Sequence, residues 1–234
     1  MSLLIAEIGQ NHNGDLSLAI ELIHAAAEHG ADVAKFQIYD AKALFPREGN
    51  EWFDYNCRTE LSRDAIGQLS EECKKCGIEF MASVFDVERV GWCEEIEMKR
   101  YKVASRSVRD SSLLDRLSIT EKPLIISLGH WNEPALPIIR ANRDVAYLYC
   151  IARYPTELAD IDFSTVDFKK FAGFSDHTVG LTAAMVALSR GASIIEKHFT
   201  LDKTMYGPDH SGSMTPDELG MLNKFRTELS QCLR

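Results

Sequence analysis

Along the chain, short apolar runs alternate with stretches in which apolar residues recur every three to four positions. Residues 3–8, 32–37, 78–84, 100–105, 123–128, 145–151, 171–175 and 193–199 read as strands. They are apolar almost throughout, as expected for strands covered on both faces. Helical patterns lie between them. Leu16, Ala19, Ile20, Ile23, Ala26 and Ala27 form one stripe, with Asp15 as N-cap and Gly30 as stop. Further helices are predicted over 62–76, ending at Gly77, and over 87–96, 111–118 and 181–190, the last stopped by Gly191. A weak helix over 133–141 is interrupted by Pro137, and a short one is expected over 164–169. The final helix opens at Thr215-Pro216-Asp217-Glu218, a capping box with proline at the first helical position.

Eight strand–helix units predict an α/β fold, a single (β/α)8 TIM barrel occupying 1–234 as one catalytic domain. An open doubly wound sheet is the alternative, but no G-x-G-x-x-G follows the first strand. The chain shows no linker, low-complexity segment, heptad run or repeat beyond the βα unit.

Composition narrows the function classes. The 234 residues are 45% hydrophobic and carry a formal net charge of −9. No basic stripe offsets that charge, so nucleic acid is not an expected partner. No apolar run approaches the length of a membrane span. The N-terminus lacks a basic leader, and six cysteines in a chain of this size do not predict a disulfide scaffold. A cytoplasmic protein is expected. Cys73 and Cys76 form a C-x-x-C, but it lies inside a helical pattern with no second cysteine pair, so it is read as helix thiols rather than zinc or redox chemistry.

A barrel places its chemistry at the C-terminal ends of its strands. His177 and His198 end two successive strands, in Ser175-Asp176-His177-Thr178 and Glu196-Lys197-His198-Phe199, with Gly207-Pro208-Asp209-His210 close behind. Two imidazoles on adjacent strand ends, with carboxylates nearby, predict a divalent-metal site; the plainer alternative is two structural histidines. The other strand ends carry Glu7, Lys35, Gln37, Ser83, Lys102, Ser105, Arg106 and Ser127. Structural ion pairs, Glu7 with Lys35 or Glu196 with a basic neighbour, account for one or two of these charges. Several cations and hydroxyls on one rim predict a phosphate or carboxylate site.

These strings together resemble the sialic acid synthase family. The resemblance rests on Ala6-Glu7-Ile8-Gly9-Gln10-Asn11-His12-Asn13-Gly14, Lys35-Phe36-Gln37 and the two His-bearing strings, and covers nearly the whole chain. It implies a barrel that condenses phosphoenolpyruvate with an open-chain N-acetylated sugar. It also implies a divalent cation, Mn2+ first and Mg2+ or Co2+ next. His177 and His198 fall at the metal positions. Lys35, Ser83, Lys102, Ser105, Ser127 and Ser175 fall where the family holds phosphoenolpyruvate. Glu7 and Asp209 match carboxylates near the metal, and with Lys102 they are the catalytic candidates. Gln37, Arg106, Ser107, Ala152 and Tyr154 occupy acceptor positions.

The chain also departs from the family. Members carry a C-terminal antifreeze-like domain, which is expected to be missing here, so a homodimer or a separate partner chain would complete the pocket. Lys102-Val103-Ala104-Ser105-Arg106-Ser107 stands where the family has Lys-Ile-Gly-Ser-Gly-Glu, and Ala152 replaces a polar contact. Arg106 and Arg153 add positive charge. The donor half is expected to be kept and the acceptor half altered. Two other readings stand beside a synthase: a Schiff-base aldolase through Lys102 or Lys197, and a catalytically reduced homologue that binds phosphoenolpyruvate or metal in a regulatory role.

Overall fold

The computed structural model describes residues 1–140 and 144–233. Eight parallel strands hydrogen-bond in sequence order into a closed barrel. They are β1 (Leu3–Gly9), β2 (Val33–Ile38), β3 (Glu79–Val84), β4 (Tyr101–Val103), β5 (Leu124–Ser127), β6 (Val145–Cys150), β7 (Gly173–Asp176) and β8 (Ile194–His198). The helices are α1 (Leu16–Glu28), α2 (Ala41–Leu44), α3 (Phe53–Arg58), α4 (Arg63–Cys76), α5 (Val87–Glu95), α6 (Ser111–Ile119), α7 (Thr182–Ser189) and α8 (Pro216–Cys232).

Local chemistry sets the ends of these elements. Asp15 caps α1 by accepting from the amides of Ser17 and Leu18. Ser62 caps α4, and Gly77 ends it in the left-handed conformation at φ 70°, where a side chain would be strained. The Thr215–Glu218 capping box forms as expected. Gly173 opens β7 because a Cβ there would stand 1.9 Å from the Ile194 carbonyl oxygen.

Two expected helices are not formed. Residues 133–140 contain no helix, and Ala141, the expected end, lies outside the described residues, as does Arg234. Pro134 and Pro137 each remove an amide donor and disfavour α geometry at the residue before them. The segment is pinned instead by Tyr147, whose hydroxyl donates to the Pro137 carbonyl at 2.6 Å. Over 164–169 the chain makes only a 3-10 turn, Phe163–Thr165, with the Asp162 carboxylate bonded to the Ser164 amide. Two short helices, α2 and α3, appear in the long β2–α4 connection, where no extended periodicity announced them.

The core has two parts. The larger lies between the outer faces of the strands and the helices. The smaller plugs the barrel from within: Ile5, Val33, Met81, Ile125, Leu148 and Ile194. Side chains of a strand alternate in direction, so the residue two positions on points the same way. Two positions past each plug residue stand Glu7, Lys35, Ser83, Ser127, Cys150 and Glu196. The layer above the apolar plug is therefore almost wholly polar.

Candidate active site

Strand register builds this layer. Glu7 pairs with Lys35 on one side and His198 on the other, Gln37 with Ser83, Ser83 with Lys102, and Ser175 with Glu196. Lys35 Nζ lies 2.6 Å from Glu7 Oε2 and 3.5 Å from Glu196 Oε2, and donates to Ser83 Oγ at 2.9 Å. Lys102 Nζ lies 3.4 Å from Glu196 Oε1, which accepts from Ser175 Oγ at 2.8 Å. Gln37 Nε2 donates to the free side of Glu7 at 3.0 Å. Both ion pairs expected on structural grounds are present, and they share one network.

Burial sets the electrostatics. It disfavours the Lys35 ammonium, but Glu196 and Glu7 together outweigh it and hold its pKa above the ordinary lysine value. For Lys102 burial wins, with Lys35 adding repulsion against the help of Glu196, and the pKa falls. Burial works against the Glu196 carboxylate too, yet Lys102 and Lys35 keep it below its usual range. Ser127 Oγ is buried with no hydrogen-bond partner among the described residues. Ser105 Oγ accepts from the Gly129 amide at 3.0 Å and otherwise meets only Cys150 Sγ, at 3.5 Å. All six expected donor residues, Lys35, Ser83, Lys102, Ser105, Ser127 and Ser175, line one cavity of about 60 Å3.

The two histidines close its upper side, with ring centroids 5.8 Å apart. His177 Nδ1 donates to the Ile151 carbonyl at 3.0 Å, which leaves the Nε2 lone pair free. Burial and the neighbouring His198 lower the His177 pKa to about 3, so the ring is neutral, as a metal ligand must be. His198 Nδ1 is buried, has no hydrogen-bond partner among the described residues and lies 3.9 Å from Asp209 Oδ2. Two imidazoles, the His177 ring neutral and His198 with an orphaned nitrogen, fit a divalent cation with oxygen and water in its remaining positions. Three His, Cys, Asp or Glu donor atoms within 4.8 Å of one another occur elsewhere among the described residues, at His24, Glu72 and Cys76.

Above this cavity opens a wider cleft of about 400 Å3, lined by Gln37, Phe45, Phe85, Arg106, His130, Tyr154, His198 and Asp209, among others. Of the expected acceptor residues, Gln37, Arg106 and Tyr154 reach it. Ser107 does not line it: it is buried in the 3-10 turn Ser105–Ser107 that follows β4. Ala152 is half-buried and lies where a Cβ on Gly129 would touch it. Arg153 forms an ion pair with Asp160 at 2.5 Å and lends the cleft no free charge. The Arg106 guanidinium stacks over the Phe45 ring, 5.2 Å from its centroid. Phe45 and Phe85 were not foreseen, because each stands in a connection without periodicity. Lys197 is fixed by Asp176 at 3.0 Å and by the Thr178 carbonyl.

Comparison with known proteins identifies the family and matches the fold. A profile described as the NeuB family matches residues 22–233. N,N'-diacetyllegionaminic acid synthase of Campylobacter jejuni is 36% identical, over 94% of this chain and 74% of that protein. N-acetylneuraminate-9-phosphate synthase of Homo sapiens is 31% identical, over 94% of this chain and 67% of its own length. The crystal structure of N-acetylneuraminic acid synthetase from Leptospira borgpetersenii, in complex with citrate, superimposes with a TM-score of 0.91 at 30% identity, covering 99% of this chain and 85% of that one. No helix among the described residues is long and apolar enough to cross a membrane. From the profile match and these identities, this chain belongs to the NeuB family.

Proposed function

We propose that this chain is a metal-dependent synthase that condenses phosphoenolpyruvate with a sugar-like aldehyde and releases phosphate. The observation that carries the reading is the polar layer itself: Lys35, Lys102 and four serine hydroxyls converge on one cavity beneath His177 and His198. Lys35, Lys102, Glu7 and Glu196 balance in charge, so the layer alone has no surplus to neutralise a multiply charged anion. A divalent cation held by His177 and His198, Mn2+ foremost, would supply that charge and polarise the acceptor aldehyde oxygen.

The chain's own groups account for the rest. Ser127 Oγ, without a partner, offers a hydrogen bond to a donor oxygen, and the two ammonium groups hold phosphate and carboxylate. The π electrons of the donor's C2–C3 bond form the new bond from C3 to the aldehyde carbon. The aldehyde oxygen becomes a hydroxyl by taking the proton removed from the water in the next step. Water adds at C2, and the resulting tetrahedral centre expels phosphate as the C2 keto group forms. Glu7 or Asp209 takes the water's proton; Asp209 is the less encumbered, since Glu7 is engaged by Lys35 and Gln37. The acceptor is proposed to differ from N-acetylmannosamine and to be smaller or more acidic, because Arg106 and His130 border the cleft. The setting is the cytoplasm, which suits cysteines that are all free.

The test is phosphate release from phosphoenolpyruvate with Mn2+ across a panel of sugars and simpler aldehydes. At least one aldehyde should release phosphate, and Lys102→Ala should weaken donor binding at least about tenfold, the loss of one charge-assisted bond. The His177→Ala/His198→Ala variant should lose Mn2+ binding by calorimetry. No release with any aldehyde, or unchanged Mn2+ binding by the double variant, overturns the reading. A Schiff-base aldolase draws on one observation of its own, the lowered pKa of Lys102. Borohydride trapping of a keto acid on Lys102 would favour it instead.

A further inference from the structure

On the outer wall of the barrel, far from the strand ends that carry the polar layer, three ligand-type side chains meet between two helices. His24 lies on α1, and Glu72 and Cys76 lie one turn apart on α4, which packs against α1. Residues four apart share a helix face, so Glu72 and Cys76 present oxygen and sulfur side by side to the imidazole opposite. His24 Nε2 is already 2.8 Å from Glu72 Oε1, and all three donor atoms lie within 4.8 Å of one another. Cys76 is the last residue of α4 before the chain turns at Gly77 towards the start of β3. The cluster is therefore at the foot of the barrel, the opposite end from the candidate active site.

An ion pair between His24 and Glu72 needs no cysteine beside it. Lys75 takes the second oxygen of Glu72, at 2.7 Å, which leaves Oε1 directed at His24 and Cys76. Cys76 is not engaged with its C-x-x-C partner, because Cys73 is buried in the core while Cys76 is half-buried at the surface. We propose that His24, Glu72 and Cys76 form a second metal site, selective for Zn2+, that clamps α1 to α4.

The chemistry favours zinc. Imidazole and thiolate suit it better than Mg2+ or Mn2+, and it accepts nitrogen, oxygen and sulfur in one tetrahedron. Zn–ligand distances of about 2.0–2.3 Å place tetrahedral donors roughly 3.3–3.8 Å apart. His24 is 47% exposed on its side chain, which gives the imidazole room to turn towards that spacing. Water takes the fourth position. Burial and Glu72 hold the Cys76 thiol above its ordinary pKa, so binding must expel the thiol proton.

The probe is zinc alone, titrated into chelator-stripped protein against a chromogenic zinc indicator. The His177→Ala/His198→Ala background removes the proposed catalytic site, so the remaining stoichiometry reports the helix pair. One equivalent should bind there. His24→Ala and Cys76→Ser should each weaken it by at least about tenfold, the lower end of what even a lost outer-sphere partner costs. Co2+ in place of zinc should give a thiolate-to-metal absorption band that Cys76→Ser abolishes. The otherwise unaltered chain should show the same band, which keeps the test valid if the double variant does not fold. In the His177→Ala/His198→Ala background, thermal unfolding without metal should be alike with and without His24→Ala or Cys76→Ser, and zinc should raise the midpoint only where His24 and Cys76 are both kept. Unchanged zinc affinity in Cys76→Ser, or no thiolate band with cobalt, overturns the proposal. Neither result depends on whether the chain is a synthase.

Discussion

Ile5, Val33, Met81, Ile125, Leu148 and Ile194 plug the lower barrel, while Glu7, Lys35, Ser83, Ser127, Cys150 and Glu196 stand two residues higher on the same strands. The two layers share backbone, direction and near-complete burial, and differ in what burial asks of them. An apolar layer gains from leaving water and tolerates swaps that keep its volume. A charged layer must satisfy each member, since an ammonium or carboxylate stripped of its partner loses solvation that nothing replaces. The lower layer insulates and the upper layer is poised: the pairing that stabilises it, Lys35 and Lys102 around Glu196, is also what an anionic substrate would have to rearrange.

Breaking the upper layer should have the largest effect. Glu196→Gln keeps the shape but leaves Lys102 with no ion-pair partner in the layer and Lys35 with Glu7 alone. It should cost about 3–5 kcal/mol in denaturant unfolding, as for other buried pairs broken at one member. An Ile5→Val change in the plug, at about 0.5–1.5 kcal/mol, is the control. If Glu196→Gln costs no more than Ile5→Val, the two layers are not energetically distinct.

A pH profile sharpens the comparison next. His12 is buried in the connection after β1, its ring tilted against Phe36, and burial lowers its pKa from 6.5 to about 4, with Asp15 opposing. The unfolded imidazole takes a proton below about 6.5 that the folded one refuses until about 4. Stability is thus independent of His12 above pH 6.5 and falls as the pH drops through the window between, by at most about 3 kcal/mol. His12→Asn should flatten that part of the curve. A curve of unchanged slope would show that the imidazole is not held neutral.

The open cleft should respond least in stability. Arg106 lies over Phe45 at the surface. Arg106→Ala should leave stability within about 0.5 kcal/mol, as for surface changes, while raising the KM for an acidic aldehyde more than for a neutral one. Equal KM changes for both would remove Arg106 from acceptor selection.

The barrel was legible in the residues because its causes are local. Alternation of short apolar runs with period-3.6 stripes, the caps at Asp15 and Thr215, and glycine stops such as Gly77 each act within a few positions. Over 133–140 a helical pattern conflicts with Pro134 and Pro137, and the prolines prevail. The rim was legible as a set, since charges inside apolar strands have few structural uses. Glu196 was visible as a charged strand end, but its place between Lys35 and Lys102 was not, because register across three strands decides it. Ser107 and Ala152 are near the site in sequence yet are turned away from the cleft, and Phe45 and Phe85 enter it from connections without a pattern. His24 belongs with Cys76 only because α1 and α4 happen to pack. By itself, then, the sequence determined the eight strands, the longer helices between them, their order and the chemistry available at the strand ends. Only closure of the barrel decided which of those groups touch, because hydrogen-bonded register and helix packing bring together residues that no short-range pattern links.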